Sequence, residues 1–444
     1  MIKVYISEGN IKEKKYTIDY IFSQFNYSYE IKIDKSLYNK YCLQYEDKKI
    51  IINDHFLSYN KYSIKKRSDH DFLFRKLKFS DYTYYSFFGD SDVKKHTGNL
   101  EFEADIIGSI FWMISRYEEF FCESNDIHGR FISVFSKLKQ KNFHQPIVDI
   151  NIFFLLKMFK FFFGLNIKLT NKYKLVATHD IDYPFVTKNS TFYSLIKSSI
   201  ADLINRKSLF LAVKRLSSYF LNNLSSDPAN NIEWIINTNS NIFDKTIFFY
   251  ISKSRLGPLD TLCDISDSDE LNQLKLICYN KIEIGLHPSY LSSDNYFFLK
   301  EEKDILDNIL NSISANEVLS SRQHYLRFNI RTHLNEFNNM KIKNEYSFGF
   351  SDYHGFRCGT CRPYKPYDVF NRRILDFTVR PLIIMDTTLL KYLKYSENEI
   401  INLHKNYSAI VKKYNGEFII LWHNTALMTE KRKSLYKNIL KSIK

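Results

Sequence analysis

The sequence lacks a disulfide framework. Its six cysteines, at 42, 122, 263, 278, 358 and 361 of 444 residues, show no scaffold spacing, which argues for a reducing compartment. The opening Met1-Ile2-Lys3-Val4-Tyr5-Ile6-Ser7-Glu8 has no apolar core of the kind a signal peptide needs. No long hydrophobic run is present either. The most apolar stretch, 152–169, is interrupted by Lys157 and Lys160, so a membrane span is not expected. The expected location is cytoplasmic. No run of five or more basic residues occurs, so the formal charge of +14 reads as bias in a lysine-rich chain, not as a nucleic-acid footprint. Neither common glycine-rich phosphate loop is found.

What is present is core-forming material. At 44% hydrophobic and 16% aromatic, the chain is not disordered, and its length argues for two or three domains. Residues 1–90 carry short alternating runs, such as Tyr27-Ser28-Tyr29-Glu30-Ile31-Lys32-Ile33 and Lys49-Ile50-Ile51-Ile52-Asn53, that predict small strands. Residues 103–122 predict one helix, and 145–165 an apolar helix started near Pro146. Asp126-Ile127-His128-Gly129-Arg130-Phe131 reads as a turn-like loop, with His128 a hydrogen-bonded loop histidine. A smaller α+β domain over 1–168 and an α/β domain over 169–444 are expected.

In the second region, apolar strands alternate with helices, which predicts a parallel sheet. Each strand runs into a polar side chain. Lys174-Leu175-Val176-Ala177-Thr178-His179 leads into Asp180 and Asp182, and Glu283-Ile284-Gly285-Leu286 leads into His287. Pro381-Leu382-Ile383-Ile384-Met385 leads into Asp386, and Phe418-Ile419-Ile420-Leu421-Trp422 into His423. In a β/α barrel all these ends open on one mouth, where active sites lie. Imidazoles plus one carboxylate suit a hydrolytic zinc site. Asp182 and His287 are the candidate ligands, Asp180 the base and His423 the acid, with a third ligand still required.

Taken in order, Thr178-His179-Asp180-Ile181-Asp182, Glu283-Ile284-Gly285-Leu286-His287-Pro288-Ser289, Arg322-Gln323-His324-Tyr325 and Leu421-Trp422-His423-Asn424 resemble the motifs of polysaccharide deacetylases, the NodB-homology family or carbohydrate esterase family 4. Residues 115–119, 126–131 and 355–360 resemble a branch with an extra N-terminal domain. The resemblance implies a distorted (β/α) barrel of the polysaccharide deacetylase type, a zinc or other divalent cofactor, and an acetylated glycan as partner. The implied reaction is hydrolysis of an N- or O-acetyl group, with Asp180 accepting a proton from zinc-bound water and His423 protonating the leaving group.

Arg322 matches the family's base-orienting arginine. The family's second motif has histidines four residues apart, but Leu291 follows His287 at that spacing. His324 is therefore the first candidate for third ligand, and His179 the second, although its side chain should leave the strand on the face opposite Asp180. Arg357 and Asp386 are candidate substrate contacts. The absent leader suggests an intracellular precursor of a surface glycan as substrate. Two other readings remain: a glycosyltransferase using Asp-x-Asp to hold a metal, and a glycan-binding protein on a degenerate deacetylase scaffold. Cys358-Gly359-Thr360-Cys361 reads as a reduced loop pair, neither a zinc knuckle nor a redox motif.

Overall fold

The computed structural model describes residues 1–58, 72–255, 259–260, 264–313 and 317–444. Cys263 falls outside them. In the N-terminal region, alternation produces the strands. β1 (Ile2–Ile6) buries Ile2, Val4 and Ile6 while Lys3 stays exposed. It lies between β2 (Tyr29–Ile33) and β3 (Lys40–Tyr45). The sheet continues through β4 (Lys48–Asn53), while β5 (Arg75–Phe79) and β6 (Tyr82–Ser86) form a separate hairpin. With β7 (Val93–His96) and β8 (Asn99–Phe102), the mixed six-stranded order is β2-β1-β3-β4-β8-β7. The helix α1 (Ile11–Ser23), which the alternating-run reading passed over, packs against the helix that begins at Ile106.

The helix expected over 103–122 is two helices, α2 (Ile106–Ile114) and α3 (Tyr117–Phe121). Arg116 breaks them apart in a left-handed conformation, φ 53°. Its buried guanidinium must be paired, and the break turns it onto Glu119 at 2.6 Å and onto the carbonyl of Arg357. The apolar helix α4 (Ile147–Met158) starts after Pro146, runs on as one π-helical turn, and stops at Gly164, φ 76°.

The second region is the expected distorted (β/α) barrel. Its eight strands all pair in parallel: β9 (Lys174–Ile181), β10 (Lys245–Tyr250), β11 (Glu283–Leu286), β12 (Ser320–Ser321), β13 (Asn344–Glu345), β16 (Thr378–Val379), β17 (Ile384–Met385) and β18 (Glu417–Leu421). The order is β16-β13-β12-β11-β10-β9-β18-β17, so the barrel is open between β16 and β17. A small hairpin, β14 (Tyr367–Asp368) with β15 (Arg373–Ile374), lies outside it. Val176, Ile247, Phe249, Ile419 and Leu421 form the barrel's interior cluster. Their strand neighbours Leu175, Phe248, Phe418 and Ile420 join the main core instead, as period-two alternation requires. Gly285 is needed in β11 because a Cβ there would lie 2.5 Å from the Phe249 ring.

The two regions share one core running from Ile2 to Ile443. Buried polar contacts tie the seam. Asp149 accepts from Thr360 Oγ1 and the Cys361 amide, each at 2.8 Å. This loop therefore serves packing. The five described cysteines are free, and burial together with Asp149 pushes the Cys361 thiol well above its usual range. Glu119 bridges Arg116 and Arg357, the latter at 2.8 Å. Burial favours its neutral form, but the two guanidinium groups outweigh this and lower its pKa. Glu119→Gln would leave two buried cations short of a counter-charge. It is expected to cost about 3–5 kcal/mol in denaturant unfolding.

Candidate active site and metal centre

The strand ends converge as expected. β9 points Thr178 and Asp180 into the barrel, where Arg322 Nη1 donates to both, at 2.7 and 2.9 Å. The guanidinium sits 4.7 Å above the Phe249 ring, so an interior aromatic fixes its plane. His179 leaves on the other face. Its ring nitrogens meet the Trp422 carbonyl at 2.8 Å and Asn239 at 2.9 Å, and burial pulls its pKa down to about 4. His179 is thus removed from the site as a ligand.

Asp182, His287 and His324 come together, with one potential ligand atom from each all within 4.8 Å of one another. His287 Nδ1 faces the Arg322 carbonyl at 2.6 Å, which only accepts, so the proton sits on Nδ1. Nε2 then points its lone pair at Asp182 Oδ1, 3.2 Å away. Both atoms are buried and without a hydrogen-bond partner. Two acceptors facing each other in a buried site call for a cation between them. The electrostatic field between them favours positive charge, which without a metal would be a proton on His287. Burial disfavours charge on His287, but Asp180 and Asp182 outweigh it and raise its pKa. Burial likewise favours neutral Asp182, yet His423, His287 and His324 hold it far below the usual carboxylate range. The donor set fits a divalent metal, and two imidazoles with one carboxylate suit zinc.

Strand β12 ends at Ser321, and the chain then makes a tight turn over His324–Leu326. Tyr325 and Leu326 have φ of 60° and 57°, strained values for non-glycine residues. The turn brings His324 back over the site, its Nε2 3.9 Å from Asp182 Oδ2. Leu291, at the spacing where a ligand was sought, is 40% exposed on a short 3-10 helix.

Two supporting residues escaped the sequence reading. Asp260 accepts from His324 Nδ1 at 3.2 Å and from the Tyr290 amide at 2.7 Å, which turns Nε2 to the site. It lies ten residues beyond the end of β10, too far along the loop for the strand-end rule to mark it. Arg130, from the N-terminal region, donates to the Tyr325 carbonyl at 2.9 Å and is itself held by Asp126 at 2.7 Å. His128 in the same loop bonds Tyr290, as a loop histidine should. Asp260→Asn is expected to weaken metal binding about 10–100-fold, as loss of outer-shell partners does, measured by chelator competition.

His423 completes the ring. Its Nε2 is 3.8 Å from Asp182 Oδ2, and its Nδ1 is 2.7 Å from Asp386 Oδ1. Burial lowers its pKa, but Asp386 and then Asp182 more than reverse this, pushing it up to about 10. Asp386, expected to touch substrate, is buried and spends its oxygens on His423 and the Thr387 amide. It acts through His423. Arg357, the other expected substrate contact, is also corrected. All three of its donor positions are taken, by Glu119 and the Gly349 carbonyl, in the buried seam.

The site opens into a cleft of about 320 Å³ walled by Arg130, Tyr183, Tyr325, Lys391 and Tyr392. A larger groove of about 460 Å³ lies between α1 and residues 363–380. Among the described residues, the one candidate metal-ligand cluster lies at the smaller cleft.

Residues 2–164 match a family of unknown function (DUF7033). No curated protein sequence matches the chain. Among solved structures, it is similar to a presumptive polysaccharide deacetylase from Mycobacterium smegmatis, with 9% identity, coverage of 62% of this chain and 84% of that one, and a TM-score of 0.41. It is also similar to a mutant CE4-family pseudoenzyme with restored enzymatic activity, with 10% identity, coverage of 62% and 63%, and a TM-score of 0.28. Likeness this distant carries no argument about chemistry, which the site's own atoms must decide.

Proposed function

We propose that the protein is a metal-dependent hydrolase that removes N- or O-linked acetyl groups from a glycan or glycan precursor. One observation carries this reading: Asp182, His287 and His324 converge on an open cleft, between a carboxylate held by arginine and an imidazole held by a carboxylate. A divalent cation held there supplies Lewis acidity towards a water and an acyl oxygen. The chain's own groups do the rest. Arg322, itself anchored on Thr178, fixes Asp180 as the group that takes the water's proton. His423, kept protonated by Asp386, faces the cleft from the other side and gives its proton to the departing amine or alkoxide. Tyr183, Tyr325 and Tyr392 offer flat apolar faces with polar edges, suited to sugar rings.

A glycosyltransferase clamp would need both carboxylates of the Asp-x-Asp on a metal-bound diphosphate. Asp180 already has Arg322 as its partner, and the histidines would have no task. The test is metal analysis of the purified chain together with acetate release from a panel of acetylated glycans and sugar nucleotides. Bound zinc with acetate release is the expected result. Stoichiometric zinc with no release from any substrate would defeat the hydrolase reading, and no metal uptake would favour plain glycan binding.

A further inference from the structure

Between β9 and α7 (Ile232–Asn239) the chain makes a helical hairpin, α5 (Phe192–Ile204) and α6 (Leu209–Phe220), whose amphipathicity is turned outward. On α5, Tyr193, Ile196, Ile200 and Ile204 recur at helical spacing and are 37–78% exposed. On α6, Phe210, Val213 and Phe220 repeat the stripe at 54–70% exposure. The faces turned inward carry Ser199, Asp202, Arg215 and Ser218 beside only three apolar residues, Leu195, Leu211 and Ala212. Asp202 is spent there, at 2.7 Å from Arg215 and 2.5 Å from Arg206. A helix pair that buries an ion pair and shows a stripe of aromatic and aliphatic side chains has a partner that is itself apolar.

We propose that this hairpin docks on the surface of an anionic lipid bilayer. Charge selects that occupant. Residues 189–226 hold Lys197, Arg206, Lys207, Lys214 and Arg215 against the single acid Asp202, which is buried and neutralised. Lys197 and Lys207 are exposed beside the apolar stripe. Aromatic and aliphatic side chains flanked by lysines are the composition of helices that lie in the headgroup plane. A second copy fits less well, because a two-fold contact through this face would set lysine against lysine. The 13 residues of α5 reach about 20 Å, short of a hydrocarbon core of about 30 Å, so the hairpin lies flat. Among the described residues, no helix is long and apolar enough to cross a membrane. The hairpin's base is pinned at the barrel mouth: Thr187 bonds Asp227, and Asn424 beside His423 bonds the Tyr183 and Ala229 carbonyls. Docking would therefore hold the cleft close to the bilayer.

The test is co-sedimentation of the full chain with vesicles of phosphatidylcholine, alone or mixed with phosphatidylglycerol, at low and high salt. Binding to the anionic vesicles, weakened by salt, is expected. The pair Phe210→Ser and Phe220→Ser should lower partitioning at least about tenfold without changing the unfolding midpoint. The pair Lys197→Ala and Lys207→Ala should weaken binding to anionic vesicles about 25-fold, and leave neutral vesicles unaffected. No binding by the unaltered chain, or binding that both pairs leave intact, would overturn the proposal. So would a dimer in solution that the phenylalanine pair dissolves in the absence of any vesicle binding, which would assign the face to a second copy.

Discussion

His287→Ala is expected to strip the protein of its divalent cation and, with it, of acetate release. The imidazole reaches the site as a preset donor. Its Nδ1 is committed to the Arg322 carbonyl and its Nε2 is buried opposite Asp182. Alanine removes that donor and leaves the Asp182 carboxylate without the imidazole that faces it. The loss of affinity should exceed the 100-fold that marks the upper range for outer-shell partners. His324→Ala should behave alike, because it supplies the remaining nitrogen. Leu291→His should not restore affinity to His324→Ala, since position 291 faces outward. Zinc titration against a chromophoric chelator measures all three. Undiminished zinc binding in both alanine variants would remove these residues from the metal centre.

Asp180→Asn is expected to keep the cation and lose turnover. The amide oxygen can still accept from Arg322, so the local structure survives, but it cannot accept the proton of an attacking water. A fall in kcat of about 10²–10⁴ is the size expected for loss of a general base. His423→Ala should fall by a similar factor, least for substrates with good leaving groups. The pH profile offers a separate check. His423 acts as an acid only while protonated, so activity must fall as pH rises through its pKa. Asp386 is the largest influence holding that pKa up, towards about 10. A cation beside Asp182 offsets part of the shift, so the alkaline limb belongs between the ordinary histidine value of about 6.5 and that figure. Asp386→Asn should move the limb to lower pH while metal content stays constant. An unmoved limb would assign it to another group.

The residues at the strand ends were legible because the rule behind them is local. A parallel strand buried on both faces is an apolar run, and the first polar side chain after it stands at the mouth. That is how Asp180, Asp182, His287, Asp386 and His423 could be picked out, and the open barrel is the fold that brings them together. Nothing local distinguishes Arg357 as a seam residue from Arg357 as a substrate contact. Its partner Glu119 lies 238 positions away. The break at Arg116 has the same origin, since a buried guanidinium sought a counter-charge and a distant carbonyl.

The sequence alone determined which side chains reach the mouth, because alternation and strand length depend on neighbours along the chain. Tertiary structure alone decided which of them share one ion and what surrounds it. His324 turns into the site because Asp260 orients its ring, and Arg130, from the other end of the fold, braces the strained turn that carries it. Likewise, only packing revealed that α5 and α6 bury their salt bridge and show their phenylalanines. A helical period records two faces but not which one meets the core. That choice is made by contacts between segments far apart in sequence, where the cost of burying each charge is either offset or left standing.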